Sequence, residues 1–239
     1  MNVDWIIATG AVLVMLLVAG GAIGLIDRKS FSWRWLVVAA GLVAIDDALL
    51  THGWGLLPDL VGGRWNWEGK LLALAATLAI AALPAFGWRR VGLTLAQKKE
   101  GRAVTYVVAL LLCALFAGLA LMQPTEPLDG ETLAFQLTMP GLEEEAYYRG
   151  TLLFALDQAF RGRVRVLGAD WGWGALLSCA LFGLAHGFGY DDGAFSFDWL
   201  TFAVTGGPAL ILVWVRARTG SLLLPVLLHN FANSIGHLI

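Results

Sequence analysis

The chain has 239 residues, of which 58% are hydrophobic and only 14% charged, with a formal net charge of -2 and a mean hydropathy of +0.71. Soluble domains run near 45–50% apolar and about 25% charged, so this composition excludes an ordinary soluble protein. It implies an all-α polytopic membrane protein with the lipid bilayer as its first partner, and no basic patch with interleaved aromatics marks nucleic acid as another.

A helix needs about 20 apolar residues to cross the hydrocarbon core. Apolar runs between charged breaks predict eight spans, near 5–26, 34–53, 69–88, 103–122, 142–159, 171–188, 197–215 and 220–238. They form one helical bundle, a single membrane domain over 1–239. The first four spans, 1–122, carry no motif, and the chemistry-bearing part is 141–239. The longest connection, about 123–141, has no pattern of its own, and no internal repeat occurs. The opening "MNVDWIIATG" has Asp4 and no basic n-region, which predicts a retained span and not a cleaved signal peptide. Cys113 and Cys179 lie inside apolar runs and read as small hydrophobes.

Lysine and arginine set the orientation, because short cytoplasmic loops hold the excess. Thirteen of the sixteen basic residues fall on one side: Arg28, Lys29 and Arg34; Arg89, Arg90, Lys98, Lys99 and Arg102; Arg161, Arg163 and Arg165; Arg216 and Arg218. Arg64 and Lys70 fall on the other side, and Arg149 lies within a span. The opposite loops are acidic, with Glu126, Asp129 and Glu131 in one and Asp191, Asp192 and Asp198 in another. Eight spans with both termini outside satisfy every loop. The composition suits a bacterial inner membrane, which makes the outer side periplasmic.

Charges at membrane depth cost about 2.5–3.5 kcal/mol each on insertion scales and face a cavity or a partner. Four places stand out: "GLEEEAYYRG" with Glu143, Glu144, Glu145 and Arg149; "FGLAHG" with His186; "LLHNFANSIGH" with His229, Asn230, Asn233 and His237; and "IDDALL" with Asp46 and Asp47. Glu145 and Arg149 are four apart, so they share a helix face and can pair, while Glu144 points about 100° away. His229 and Asn233 likewise share a face. At about 1.5 Å per residue, Glu144, His186 and Asn233 reach comparable depths in the outer half of the bilayer. The plainer readings are that Glu143 favours a helix macrodipole after "MPG", that Asn230 is an interhelical hydrogen bond, and that His237 is interfacial. Asp46 and Asp47 divide between a solvated rim and a role either in support of the site from behind or as a gate for substrate.

Three of these elements resemble the signature of the CAAX protease and bacteriocin-processing (Abi) family of intramembrane proteases. The double glutamate followed by arginine is Glu144-Glu145-Ala146-Tyr147-Tyr148-Arg149. Phe-x-x-x-His is Phe182-Gly183-Leu184-Ala185-His186, and His-x-x-x-Asn is His229-Asn230-Phe231-Ala232-Asn233. The resemblance covers 141–239 and implies an intramembrane endopeptidase acting on a membrane-associated peptide or protein. By that resemblance the catalytic residues are Glu144, His186, His229 and Asn233, with Glu145 and Arg149 orienting them.

Two mechanisms follow. In the first, with no cofactor, Glu144 activates water with His186 beside it, and His229 and Asn233 donate to the oxyanion. In the second, zinc is held by His186, His229 and Glu144. No His-Glu-x-x-His occurs and Asn233 is a poor zinc ligand, so the metal-independent mechanism is the expectation. Enzymes of this kind that process prenylated tails work on the cytosolic face, whereas the charge count puts this site nearer the periplasmic face. The expectation follows the count and sets the prenyl tail aside. Outside proteolysis, the alternatives are a non-catalytic binding or immunity protein holding a peptide at the same site, and a proton-coupled carrier using Glu144, Glu145, Asp46 and Asp47.

Overall fold

A computed structural model describes residues 4–52, 57–58, 62–123 and 129–239; Glu126 lies outside them. Eight helical segments coincide with the eight expected spans. They are α1 (Asp4–Ile26), α2 (Trp33–Thr51), α3 (Trp67–Ala82), α4 (Arg102–Ala120), the fifth segment from Met139 to Ala159, α8 (Trp173–Gly187), α9 (Trp199–Thr219), and α10 (Leu223–Ser234) with a 3₁₀ turn at Ile235–His237. The fifth segment divides into α6 (Met139–Glu144), a π-helix (Glu145–Leu152) and α7 (Leu153–Ala159). Three of the segments, α1, α4 and α9, are long and apolar enough to cross a membrane by length and composition. Their outward faces expose large apolar side chains such as Val18, Leu25, Leu110, Leu111 and Leu200, as a lipid-facing surface does.

Local chemistry sets the ends. Asn66 caps α3 by accepting from the Gly69 amide at 2.9 Å, and the helix stops at Ala82, two residues before Pro84. Pro140 occupies the first turn of α6, where its missing N–H costs nothing. Asp198 caps α9 through the Leu200 and Thr201 amides, and Gly220 closes it at φ 73°.

Three elements went unpredicted. Helix α5 (Gly130–Gln136) fills part of the long connection. Two antiparallel hairpins pair β1 (Val164–Val166) with β2 (Ala169–Trp171) and β3 (Phe188–Asp191) with β4 (Ala194–Phe197). Their turns place Leu167–Gly168 and Asp192–Gly193 at positive φ, the twist that two-residue hairpins favour. The fold is therefore mostly helical and not purely so.

Helix α8 packs tightly on α9. A Cβ at Gly187 would stand 2.7 Å from the Asp198 carbonyl, so a small residue is what permits this approach. The basic loops meet at one end of the bundle: Arg216 Nη2 donates to the Arg90 carbonyl at 3.0 Å and Arg218 Nη2 to that of Gly101 at 2.9 Å. At the other end, Arg64 and Trp65 anchor α5. Glu131 accepts from both of their amides and from Trp67 Nε1 at 3.1–3.2 Å, and Phe135 stacks on Trp65.

Hydrogen bonds from Thr132, with Arg64 beside it, hold the Asp129 carboxyl down at about 2. A depressed carboxylate stabilises above its ordinary pKa and loses that contribution as pH falls through the folded value. Hydrogen-exchange protection of α5 is expected to be full above about pH 5 and to fall towards pH 2. Asp129→Asn should flatten that dependence, and an unchanged profile in the variant would contradict the assignment.

Candidate active site

The site is built where the fifth helical segment meets α3, α8 and α10. Gly141 lets α6 lie against α10: a Cβ there would be 2.7 Å from the Val226 carbonyl. Asn230 Oδ1 accepts from the Gly141 amide at 2.7 Å and its Nδ2 donates to the Thr138 carbonyl at 3.2 Å. Asn230 is thus the interhelical hydrogen bond of the plainer reading, satisfying an amide in the first turn of α6 that has no partner within the helix.

From that junction the chain runs into the π-helix, which begins at Glu145. Widened turns of this type recur at functional sites. Arg149 Nη1 lies 3.1 Å from Glu145 Oε1, both side chains being almost fully buried, so the expected pairing is present. The same oxygen holds His229 Nδ1 at 2.7 Å. Glu144 Oε2 is 3.6 Å from His229 Nε2, so the two glutamates reach the imidazole from its two nitrogens despite leaving the helix in different directions. The Arg149 guanidinium sits 4.3 Å over the Phe182 ring, and Phe182 packs against both His186 and His229.

His186 Nδ1 contacts the Phe182 carbonyl at 2.8 Å. When Nδ1 carries the proton for that bond, Nε2 keeps a lone pair. His186 is exposed and lines a cavity of about 740 Å³ together with Glu144, Arg149, His229, Asn233 and Lys70. Spans five, six and eight therefore do converge. Trp65, Phe135 and Pro140 close one side, and Leu112, Phe116, Val204, Ile211 and Leu212 give the cavity an apolar wall.

Sequence reasoning missed Lys70. It was counted as a loop charge, yet its Nζ lies 2.6 Å from Glu143 Oε2 and 2.7 Å from Glu144 Oε1. The signal was available: Lys70 falls inside the third predicted span, alone in the run "KLLALAATLAI". Glu143, expected merely to favour a macrodipole, is fully buried in this ion pair. Asp46 is buried behind it with its carboxyl next to that of Glu143, and Asp47 accepts from the Thr9 hydroxyl. Neither aspartate lines the cavity. His237 is half-buried in the terminal 3₁₀ turn.

Of the residues a zinc ion would need, Glu144 Oε1 meets the Lys70 ammonium, Glu144 Oε2 lies 3.6 Å from His229 Nε2, and as placed no group of three or more His, Cys, Asp or Glu side chains among the described residues is arranged to hold a metal.

Arg149→Ala strips the partner from a buried carboxylate, a change that costs about 3–5 kcal/mol. Thermal unfolding in detergent should show that loss. Lys70→Met should destabilise as well and should leave Glu145–Arg149 pairing intact. Wild-type midpoints in both variants would contradict the buried charge pairing.

A search of curated proteins and a search of solved structures each returned no match. Residues 131–235 match the family model described as type II CAAX prenyl endopeptidase Rce1-like. That match agrees with the resemblance carried by the three motifs: this segment of the chain is similar to the Rce1-like CAAX endopeptidase family.

Proposed function

We propose that the protein is an intramembrane endopeptidase that hydrolyses a peptide bond of a membrane-associated peptide or protein with water activated by Glu144. The observation that carries this reading is the convergence of Glu144, His186, His229 and Asn233 on one cavity. A module that only holds a peptide, or an immunity protein, has no need of that set.

The chemistry divides among the side chains. One Glu144 oxygen is taken by Lys70, while Oε2 is buried without a hydrogen-bond donor and is free to accept a proton from water. His186, at the exposed rim, receives and positions that water through its Nε2 lone pair. Attack on the scissile carbonyl develops an oxyanion, which hydrogen bonds from Asn233 and His229 would stabilise. His229 Nδ1 lies 2.7 Å from Glu145 Oε1, a contact that fixes the ring. Glu144 then returns its proton to the departing amine. Glu145 and Arg149 act through His229, and Asp46 and Glu143 act through Lys70; these are positioning residues. Asp46 is better read in that supporting layer than as a gate, while Asp47 meets the Thr9 hydroxyl.

The apolar wall supports a substrate with an apolar stretch beside the scissile bond. The matched family's description names a CAAX prenyl endopeptidase, and the resemblance implies prenylated tails cut at the cytosolic face for enzymes of that kind. The charge asymmetry of the loops favours a site nearer the periplasmic face, and so favours an apolar peptide segment as the substrate.

With a cleaved membrane peptide in hand, Glu144→Gln and His186→Ala should each lower turnover by about 10²–10⁴. Asn233→Ala should cost about 10²–10³ through the lost oxyanion donor. A chelator should leave wild-type turnover unchanged. Loss on chelation with recovery on adding zinc would replace this mechanism with a metal-dependent one.

A further inference from the structure

Behind the catalytic cavity, towards the basic loops, lies a second cavity of about 100 Å³, the space of roughly three waters. Arg90, Arg149 and Arg216 line it, together with Asp157 and Asp170. Both carboxylates already have partners: Asp157 pairs with Arg163 at 2.9 Å and Asp170 with Arg165 at 3.1 Å. Counting the partners just outside the lining, Arg163, Arg165 and Glu145, the cavity and its surroundings hold five arginines and three carboxylates, an excess of two positive charges.

The donors in this cavity are not used up. Arg149 is 1% exposed, and although its charge faces Glu145, neither Nη1 nor Nη2 has an aligned hydrogen-bond acceptor. Arg216 Nε is also buried without one; that side chain spends Nη2 on the Arg90 carbonyl. A guanidinium offers five N–H groups in a fixed fork that matches the oxygens of a phosphate. Buried donors left unmet cost free energy, and a net positive concavity recruits an anion more strongly than it recruits water alone.

We infer that this inner cavity binds a phosphate group, free or as the headgroup of an anionic phospholipid. Its position among the basic loops suits the lipid, since basic pockets between membrane helices on that side collect anionic headgroups. The size admits one tetrahedral anion and excludes a peptide. Because Arg149 lines both cavities, an occupant would brace Arg149 from behind, and through Glu145 the His229 ring. The inference is independent of proteolysis, and its test reads binding.

The full chain is purified in a neutral detergent, and its thermal midpoint is followed on adding phosphatidylglycerol, phosphatidylcholine or inorganic phosphate at matched ionic strength. A probe at a hundred times its Kd should raise the midpoint by about 5–10 °C. A rise with phosphatidylglycerol alone assigns the site to a lipid headgroup. A rise with inorganic phosphate alone assigns it to the free ion, and a rise with both means that the phosphate is recognised from either source. Arg216→Gln should weaken the effective probe about tenfold or more. Arg90→Gln, at an exposed position, should weaken it too and serves if the Arg216 variant does not fold. No rise with either probe, an equal rise with phosphatidylcholine, or full retention in the variants would overturn the inference.

Discussion

The ammonium of Lys70 between the carboxylates of Glu143 and Glu144 is the contact on which the rest of the site depends. Three consecutive glutamates could not be held together at this depth without compensating charge, because Coulombic repulsion and desolvation both grow as water is withdrawn. Lys70 serves two of them and Arg149 the third. The two cations come from opposite parts of the chain, Lys70 from α3 and Arg149 from the π-helix. The motif-bearing part is thus closed by a residue from the part without motifs. Within the first four helices, α3 supplies this countercharge and α2 places Asp46 beside Glu143.

The same pairing sorts the glutamates by task. Glu145 is committed on one oxygen to both Arg149 and His229, as a positioning role in the proposed mechanism requires. Glu143 is enclosed between Lys70 and Asp46. Each of the three keeps one oxygen without a donor, and of the three it is Glu144 that lines the cavity. Adjacent residues of one type acquire different chemistry because the helix sends them in different directions and each direction meets a different partner.

Much of this was legible in the sequence because it rests on local spacing. The four-residue steps from Glu145 to Arg149 and from His229 to Asn233 are properties of one helix. The eight helical segments follow from apolar runs, and residues 131–235, matched by the family model, contain all three motifs. What escaped depends on contacts between distant segments or on backbone detail. Lys70 lies more than seventy residues from the glutamates it neutralises, and helix periodicity is silent about such a partner. The π-helix is a change of register with no residue signature. Helix α5 was passed over because its seven residues are too short for a periodic pattern, though Asp129 and Thr132 form a legible cap. The β3–β4 hairpin was legible and unread: Asp192-Gly193 is the turn dipeptide that such hairpins favour.

The central claim is that Glu144 activates water for peptide hydrolysis. Its most direct test compares peptide N-termini, by mass spectrometry, in membranes expressing the wild type or Glu144→Ala at equal levels. New termini that occur with the wild type and vanish with the variant are the predicted result, and their positions would also identify the substrate and the membrane face of cleavage. Wild-type-dependent termini that persist with Glu144→Ala would contradict the assignment of the base.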